Sequence, residues 1–349
     1  GSYPVRPGDG RGDIIRDGSL SSSDWTGILP VSKYPFAMNP PQGFLASANQ
    51  QPVDPRVNAA YMGSDWYSPW RALRINKLLR ADSAVTVDDM RRFQTDPGSA
   101  RADAFVPLFL SAAAHEDSIG KGTPALREGA RLLAEWNRQY TRENRRAVLF
   151  EAAMTALTPR LWDELAEKGK NSDGTPQVDF PEAQMALDLA RTPDNIWWDN
   201  RHTPVREARD MILAASLDAG YAKAKVDHGS PDSNGWMWSN IQHARIGHLL
   251  GIPALSVRDI PVQGGPSTLS PSSGSGGQGP SWRMVVELGR EVRAWSIYPG
   301  GQSGAPASER YTDRLSRWES GKLDEVLFPR AAKDIDHRRV ISTLTLVPR

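Results

Sequence analysis

His243 and His248 are two histidines close enough in sequence to be weighed as a metal pair, and they sit five apart. That spacing places them on different faces of a helix, with no acidic residue close by in sequence. It favours two structural histidines over a metal pair. Gly274–Gly279 (GSGGQG) spells GxGxxG, but it lies in low-complexity sequence and precedes a strand pattern. A dinucleotide loop needs the opposite order, strand before and helix after. Arg11–Asp13 spells RGD and reads as a turn. Asp227–Asp232 and Asn171–Asp179 are carboxylate-bearing loops without EF-hand spacing. Ser303 has no base placed beside it. There is no GxSxG elbow, no HExxH and no Walker loop. The chain has no cysteine, which excludes a thiol nucleophile, a disulfide scaffold and any Cys-ligated zinc or iron–sulfur site. Taken alone, these residues form no self-sufficient catalytic constellation.

The elements that position any site come from pattern and composition. The 349 residues are 39% hydrophobic and 24% charged, enough for a sizeable core and against global disorder. Lys+Arg (42) balances Asp+Glu (41), so the basic excess of a nucleic-acid partner is missing. The longest apolar run, residues 104–114, is shorter than the ~20 residues a spanning helix needs and contains Pro107, so no membrane span is expected. The polar, Gly/Pro-rich first residues do not read as a signal peptide. The tryptophans cluster (Trp66 and Trp70, Trp197 and Trp198, Trp236 and Trp238) and read as core and loop anchors rather than pocket lining.

Residues 1–69 read as loops with short strands, and Gly43–Ala48 as a buried strand. Residues 70–225 read as a mainly helical insertion. Thr86 begins a near capping box with Asp88 and Asp89, and Thr123–Pro124, Thr158–Pro159 and Thr203–Pro204 each place an N-cap before a first-turn proline. After Pro204, residues Val205, Ala208, Ile212, Ala215, Ala219 and Ala222 read as one buried helix face, as do Leu126, Ala130, Leu133 and Trp136 after Pro124. Residues 226–349 read as strand-rich. The alternation of Trp282–Leu288, a turn at Gly289–Glu291 and the run Val292–Tyr298 predict a hairpin. Val340–Val347 reads as a terminal strand, and residues 264–280 as a mobile Gly/Ser/Pro loop. The fold class is α+β in one domain, with no internal repeat.

Five segments occur in a meaningful order: Gly43–Pro52 (GFLASANQQP), Trp70–Leu79 (WRALRINKLL), Trp236–Gly251 (WMWSNIQHARIGHLLG), Gly279–Leu288 (GPSWRMVVEL) and Pro299–Asp313 (PGGQSGAPASERYTD), the last followed by Trp318, Gly321 and Leu323. Together they resemble the later part of the β-subunit of the penicillin acylase family, the N-terminal-nucleophile hydrolases that include cephalosporin, aculeacin and acyl-homoserine-lactone acylases. The resemblance implies part of a four-layer αββα fold with a helical insertion. It implies hydrolysis of the amide bond of small N-acyl compounds of β-lactam, acyl-homoserine lactone or lipopeptide type. A precursor cleaves itself, a serine becomes N-terminal, and its own α-amine serves as the base for its hydroxyl.

Tyr3–Arg6 resembles a segment well inside that β-subunit, so Ser2 is not the expected nucleophile. The expected partners are an α-subunit and the N-terminal part of the β-subunit, which carries the serine. By the same resemblance Asn49 is the oxyanion-hole donor and Arg71 the residue that holds it. Glu287 is a weaker candidate for supporting a histidine carried outside this chain. The resemblance implies no catalytic cofactor. A structural calcium is possible, held mostly by ligands outside the chain, with Asp65 a poor match. The implied location is periplasmic or secreted. A catalytically inactive remnant and a stand-alone binding module are the two rival readings.

Overall fold

A computed structural model of the chain describes residues 2–54, 56–57, 61–166, 179–270 and 279–347. The first segment contributes the antiparallel pair β1 (Pro4–Val5) and β2 (Gly27–Ile28) and two single-turn 3-10 helices, Ser21–Ser23 and Val31–Lys33. Helices follow: α1 (Trp70–Arg80), α2 (Val87–Gln94), α3 (Ala100–Ser118), α4 (Pro124–Ala134), α5 (Ala147–Leu161), α6 (Asp163–Ala166), α7 (Ala183–Leu189) and α8 (Arg209–His228). After the short α9 (Trp238–Ile241), β3 (His243–Ile246) pairs with β4 (Val257–Pro261). The expected hairpin forms as β5 (Arg283–Glu287) and β6 (Arg293–Ile297), and β7 (Asp324–Val326) adds to β6 after α10 (Leu315–Glu319). The class is α+β.

Local chemistry starts the helices. Thr86 Oγ1 accepts from the Asp89 N–H at 3.2 Å and the Asp89 carboxylate accepts from the Thr86 N–H at 2.9 Å, a complete capping box for α2. Thr123 caps α4, with Pro124 in the first turn, and its hydroxyl also donates to Asp218 of α8 at 2.5 Å. The main core lies among α3, α4, α5 and α8, around Phe105, Phe109, Leu132, Leu149, Phe150 and Leu217. Arg101 and the Tyr140 hydroxyl both bond the Glu151 carboxylate at its edge. Burial, reinforced by Glu151, drives the Tyr140 phenol well above its ordinary value, so it stays a donor. A second, smaller core joins β3, β4, β5 and β6 to Trp318 and Leu323.

Several expectations fail for physical reasons. Pro159 does not begin a helix: α5 runs through it to Leu161, because Ala147–Leu157 is already an apolar run packed on α8. Thr158 instead donates to the Met154 carbonyl at 3.1 Å. Thr203 donates to the carbonyls of Asn200 and Val205 in a loop, and α8 starts only at Arg209. The buried face of α8 carries Ile212, Leu213, Leu217, Gly220, Tyr221 and Ala224, whereas Ala215 and Ala222 are exposed. Gly43–Ala48 is irregular and only Ala48 of it is buried, and Val340–Val347 is exposed and in no strand among the described residues. Half of the supposed mobile loop is tightly held: Trp238 Nε1 donates to the Gly264 carbonyl at 2.6 Å, and Thr268 is fully buried. The GxGxxG stretch, except Gly279, and Asn171–Val178 lie outside the described residues.

Candidate active site

Asn49 sits in a tight turn between the buried Ala48 and Gln50, whose side-chain oxygen accepts from the Ala48 N–H at 2.7 Å. The turn requires a left-handed backbone at Asn49, φ +65°, a region that asparagine tolerates better than other residues with a Cβ. The Asn49 carbonyl accepts from the Tyr67 N–H at 3.1 Å, which ties the turn to the segment leading into α1.

α1 is anchored by Trp70, 2% exposed and set edge-on against Phe105 at 6.2 Å between ring centres. The next residue, Arg71, therefore emerges at the rim of the first turn. Its Nη2 donates to Asn49 Oδ1 at 2.9 Å, and its guanidinium carbon lies 5.7 Å from the centre of the Tyr67 ring. Among the described residues no carboxylate pairs with Arg71 and nothing accepts from Asn49 Nδ2. The arrangement leaves an outward amide donor backed by an uncompensated positive charge, the combination that stabilises a developing oxyanion. Beside it lies a cavity of about 230 Å³, lined in part by Gln50, Trp66, Tyr67 and Ser68; the Ser68 hydroxyl donates to Glu182 at 2.5 Å. In sequence Tyr67 carries no signal of its own, being an aromatic in a polar stretch.

The other candidates are not brought here. Glu287 pairs across the hairpin with Arg293 at 2.5 Å. The Ser303 hydroxyl accepts from the Ala305 N–H at 3.1 Å, closing a turn. His243 lies 4.0 Å from Asp259, and His248 Nδ1 accepts from the Leu250 N–H at 3.3 Å. Asp65 is exposed, and among the described residues no three His, Asp or Glu side chains converge on a point.

The sequence pattern of the penicillin amidase family, described as "Penicillin amidase", matches residues 1–334. The chain is 28% identical over 395 aligned positions to an acyl-homoserine lactone acylase QuiP of Pseudomonas aeruginosa, with all of this chain and 44% of that protein covered. It is 24% identical to the penicillin acylase 2 proenzyme of Pseudomonas sp. strain SE83, covering 93% of this chain and 41% of that one. The chain thus spans less than half the length of these curated relatives. A solved structure, the thermostable penicillin G acylase from Alcaligenes faecalis, superposes on the whole chain and 64% of its own with a TM-score of 0.65 at 16% identity. The chain shares that fold.

Proposed function

The chain belongs to the penicillin amidase family, and from that premise we propose that it is the part of an amide-hydrolysing acylase that supplies the oxyanion donor. A serine hydroxyl from outside this chain, with its own α-amine as base, attacks the carbonyl carbon of an N-acyl amide. Negative charge then develops on the carbonyl oxygen. The Asn49 Nδ2–H donates to that oxygen, while Arg71 holds the amide by its own oxygen and adds positive potential. The amine leaves, and water releases the acyl group from the serine. The observation that supports this reading is the Arg71–Asn49 hydrogen bond at 2.9 Å, because it turns the donor end of the amide outward.

N-acyl-homoserine lactones are the first substrate class to try and N-acyl β-lactams the second, following the names of the relatives. The partner polypeptides are an α-subunit and the serine-bearing part of the β-subunit, in a periplasmic or secreted enzyme. The test is release of free amine from both substrate classes by the purified protein, with intact mass and N-terminal sequencing of every polypeptide in it. Turnover with a serine-initiated polypeptide present supports the reading. A sample that contains that polypeptide and turns over neither class removes it.

A further inference from the structure

The cavity beside the Asn49 turn carries a charge of its own. Five of its eight lining residues are polar (Gln50, Gln51, Ser68, Glu182 and Gln184), and among the described residues Glu182 is the one charged member of the lining. Glu182 stands just before α7 and is exposed, and its side chain does not cap that helix. Its carboxylate accepts from the Ser68 hydroxyl at 2.5 Å, which ties the start of α7 to the segment leading into α1. A charge-assisted bond of that length restrains the carboxylate. No cation pairs with it among the described residues. Glu182 is thus an unbalanced charge, as Arg71 is, but of opposite sign.

Tyr67 joins the two. Its N–H holds the Asn49 carbonyl, its ring lies under the Arg71 guanidinium, and it lines the cavity together with Glu182. The cation is therefore at the amide donor and the anion in the adjoining cavity. An amide under attack develops charge in the same order. Its oxygen becomes negative, where Asn49 and Arg71 meet it. Its nitrogen becomes positive as it takes the proton that the serine hydroxyl gave to the α-amine, and the C–N bond then breaks with its electron pair on nitrogen.

Volume and lining say which half of a substrate fits. About 230 Å³ is less than the roughly 300–1,000 Å³ of pockets that enclose a whole drug-sized ligand, so the cavity suits one half of an N-acyl amide. A fatty or aromatic acyl group would take water from these amide, hydroxyl and carboxylate groups and return no hydrogen bond. The polar amine half returns them. Resting on the acylase reading, we propose that this cavity holds the amine half of the substrate, and that Glu182 selects amine halves without a carboxylate of their own. The uncharged ring of an N-acyl-homoserine lactone is accepted. Its ring-opened acid, or a penicillin-type β-lactam with a free carboxylate, meets Glu182 as a like charge and is disfavoured.

The test uses the assembled enzyme and two substrates that share one acyl group, N-octanoyl-homoserine lactone and the ring-opened N-octanoyl-homoserine, with release of free amine followed at neutral pH. Glu182→Gln loses the charge and keeps an oxygen for the Ser68 hydroxyl. The expected result is a lactone-over-acid ratio of kcat/KM that narrows about five- to tenfold in this variant. Raising salt from about 20 mM to about 0.5 M narrows the ratio in the parent and not in Glu182→Gln, because screening acts on that one charge. A merely structural glutamate gives no such salt dependence, and the parent's salt response stands even if the variant does not assemble. Amine release with a ratio unchanged in Glu182→Gln, or unchanged by salt in the parent, overturns the role of Glu182 and leaves the acylase reading in place. Release from neither substrate, with the serine-initiated polypeptide present, removes that reading and this inference with it.

Discussion

Arg71 binds the amide oxygen of Asn49 at 2.9 Å from the first turn of α1, so the side chain able to donate to an oxyanion is oriented by one able to attract it. A free asparagine amide rotates, and an arginine at a helix start is ordinarily a solvated surface charge.

Asn49→Gly removes the donor and keeps the left-handed backbone, which glycine adopts without strain. In the assembled enzyme kcat falls on the order of 10²–10³-fold while KM changes little, because the donor acts where charge develops. Steady-state kinetics on an N-acyl substrate decides this. Equal changes in kcat and KM would remove Asn49 from the oxyanion role.

Arg71→Lys keeps the charge and loses the planar fork that fixes the Asn49 oxygen. We expect about a tenfold loss in kcat with KM nearly constant. Because the two residues act as a unit, the double variant with Asn49→Gly should be hardly slower than Asn49→Gly alone. Additive losses would mean that Arg71 acts through something other than Asn49.

Gly220 and Gly129 form a matched pair for stability. A Cβ on Gly220 of α8 would lie 2.6 Å from the Ala153 backbone nitrogen of α5, whereas one on Gly129 of α4 would meet only the ends or stems of Leu217 and Tyr221 at 3.4 Å. Replacing helical glycine by alanine gains about 0.8–1 kcal/mol of helix propensity. Overpacking against rigid backbone costs about 1–3 kcal/mol or more. Gly220→Ala should therefore lower the melting temperature and Gly129→Ala leave it unchanged or slightly raised. Calorimetry showing the two alike would refute the close α5–α8 contact.

Asp163 is buried, and neither carboxylate oxygen has a partner among the described residues. Burial first, then the neighbouring Glu164, hold its carboxyl above the ordinary value of 3.8. From pH about 3.8 upward to the raised value the folded state binds the extra proton, so stability falls as pH rises through that window. Asp163→Asn removes the penalty. It should melt higher than the parent at pH 7, with the gap closing below about pH 4. A gap that persists at pH 3.5 would mean a packing effect instead.

Much of the architecture was legible where one local rule acts alone. Thr86 with Asp89 and Thr123 with Pro124 cap helices because nothing before them competes. The same Thr-Pro pair fails at Thr158, where an apolar helix packed on α8 overrides it, and at Thr203. There Asp199 accepts from the Glu207 N–H at 2.9 Å, and the loop is organised before α8 begins. On α8 the even spacing of alanines misled. The larger Leu213, Leu217 and Tyr221 set the buried face, because area removed from water counts more than regularity. In β5 the alternation was clear but its inward side was not, since Arg283 is an unexpected core residue until Trp318 is seen beneath it. The pairing of Asn49 with Arg71 was legible only through family resemblance, because a turn asparagine and a helix-start arginine carry no mutual signal in sequence.

The left-handed turn at Asn49 also bears on how this position can drift under mutation. Aspartate is a single base change away from asparagine and accepts the same backbone, so an Asn49→Asp chain would fold, express and assemble as before. Under the proposed oxyanion role it would present an anion where an anion must form. A screen for solubility or abundance passes such a variant unnoticed, and under the proposed role only a measurement of turnover tells the two apart.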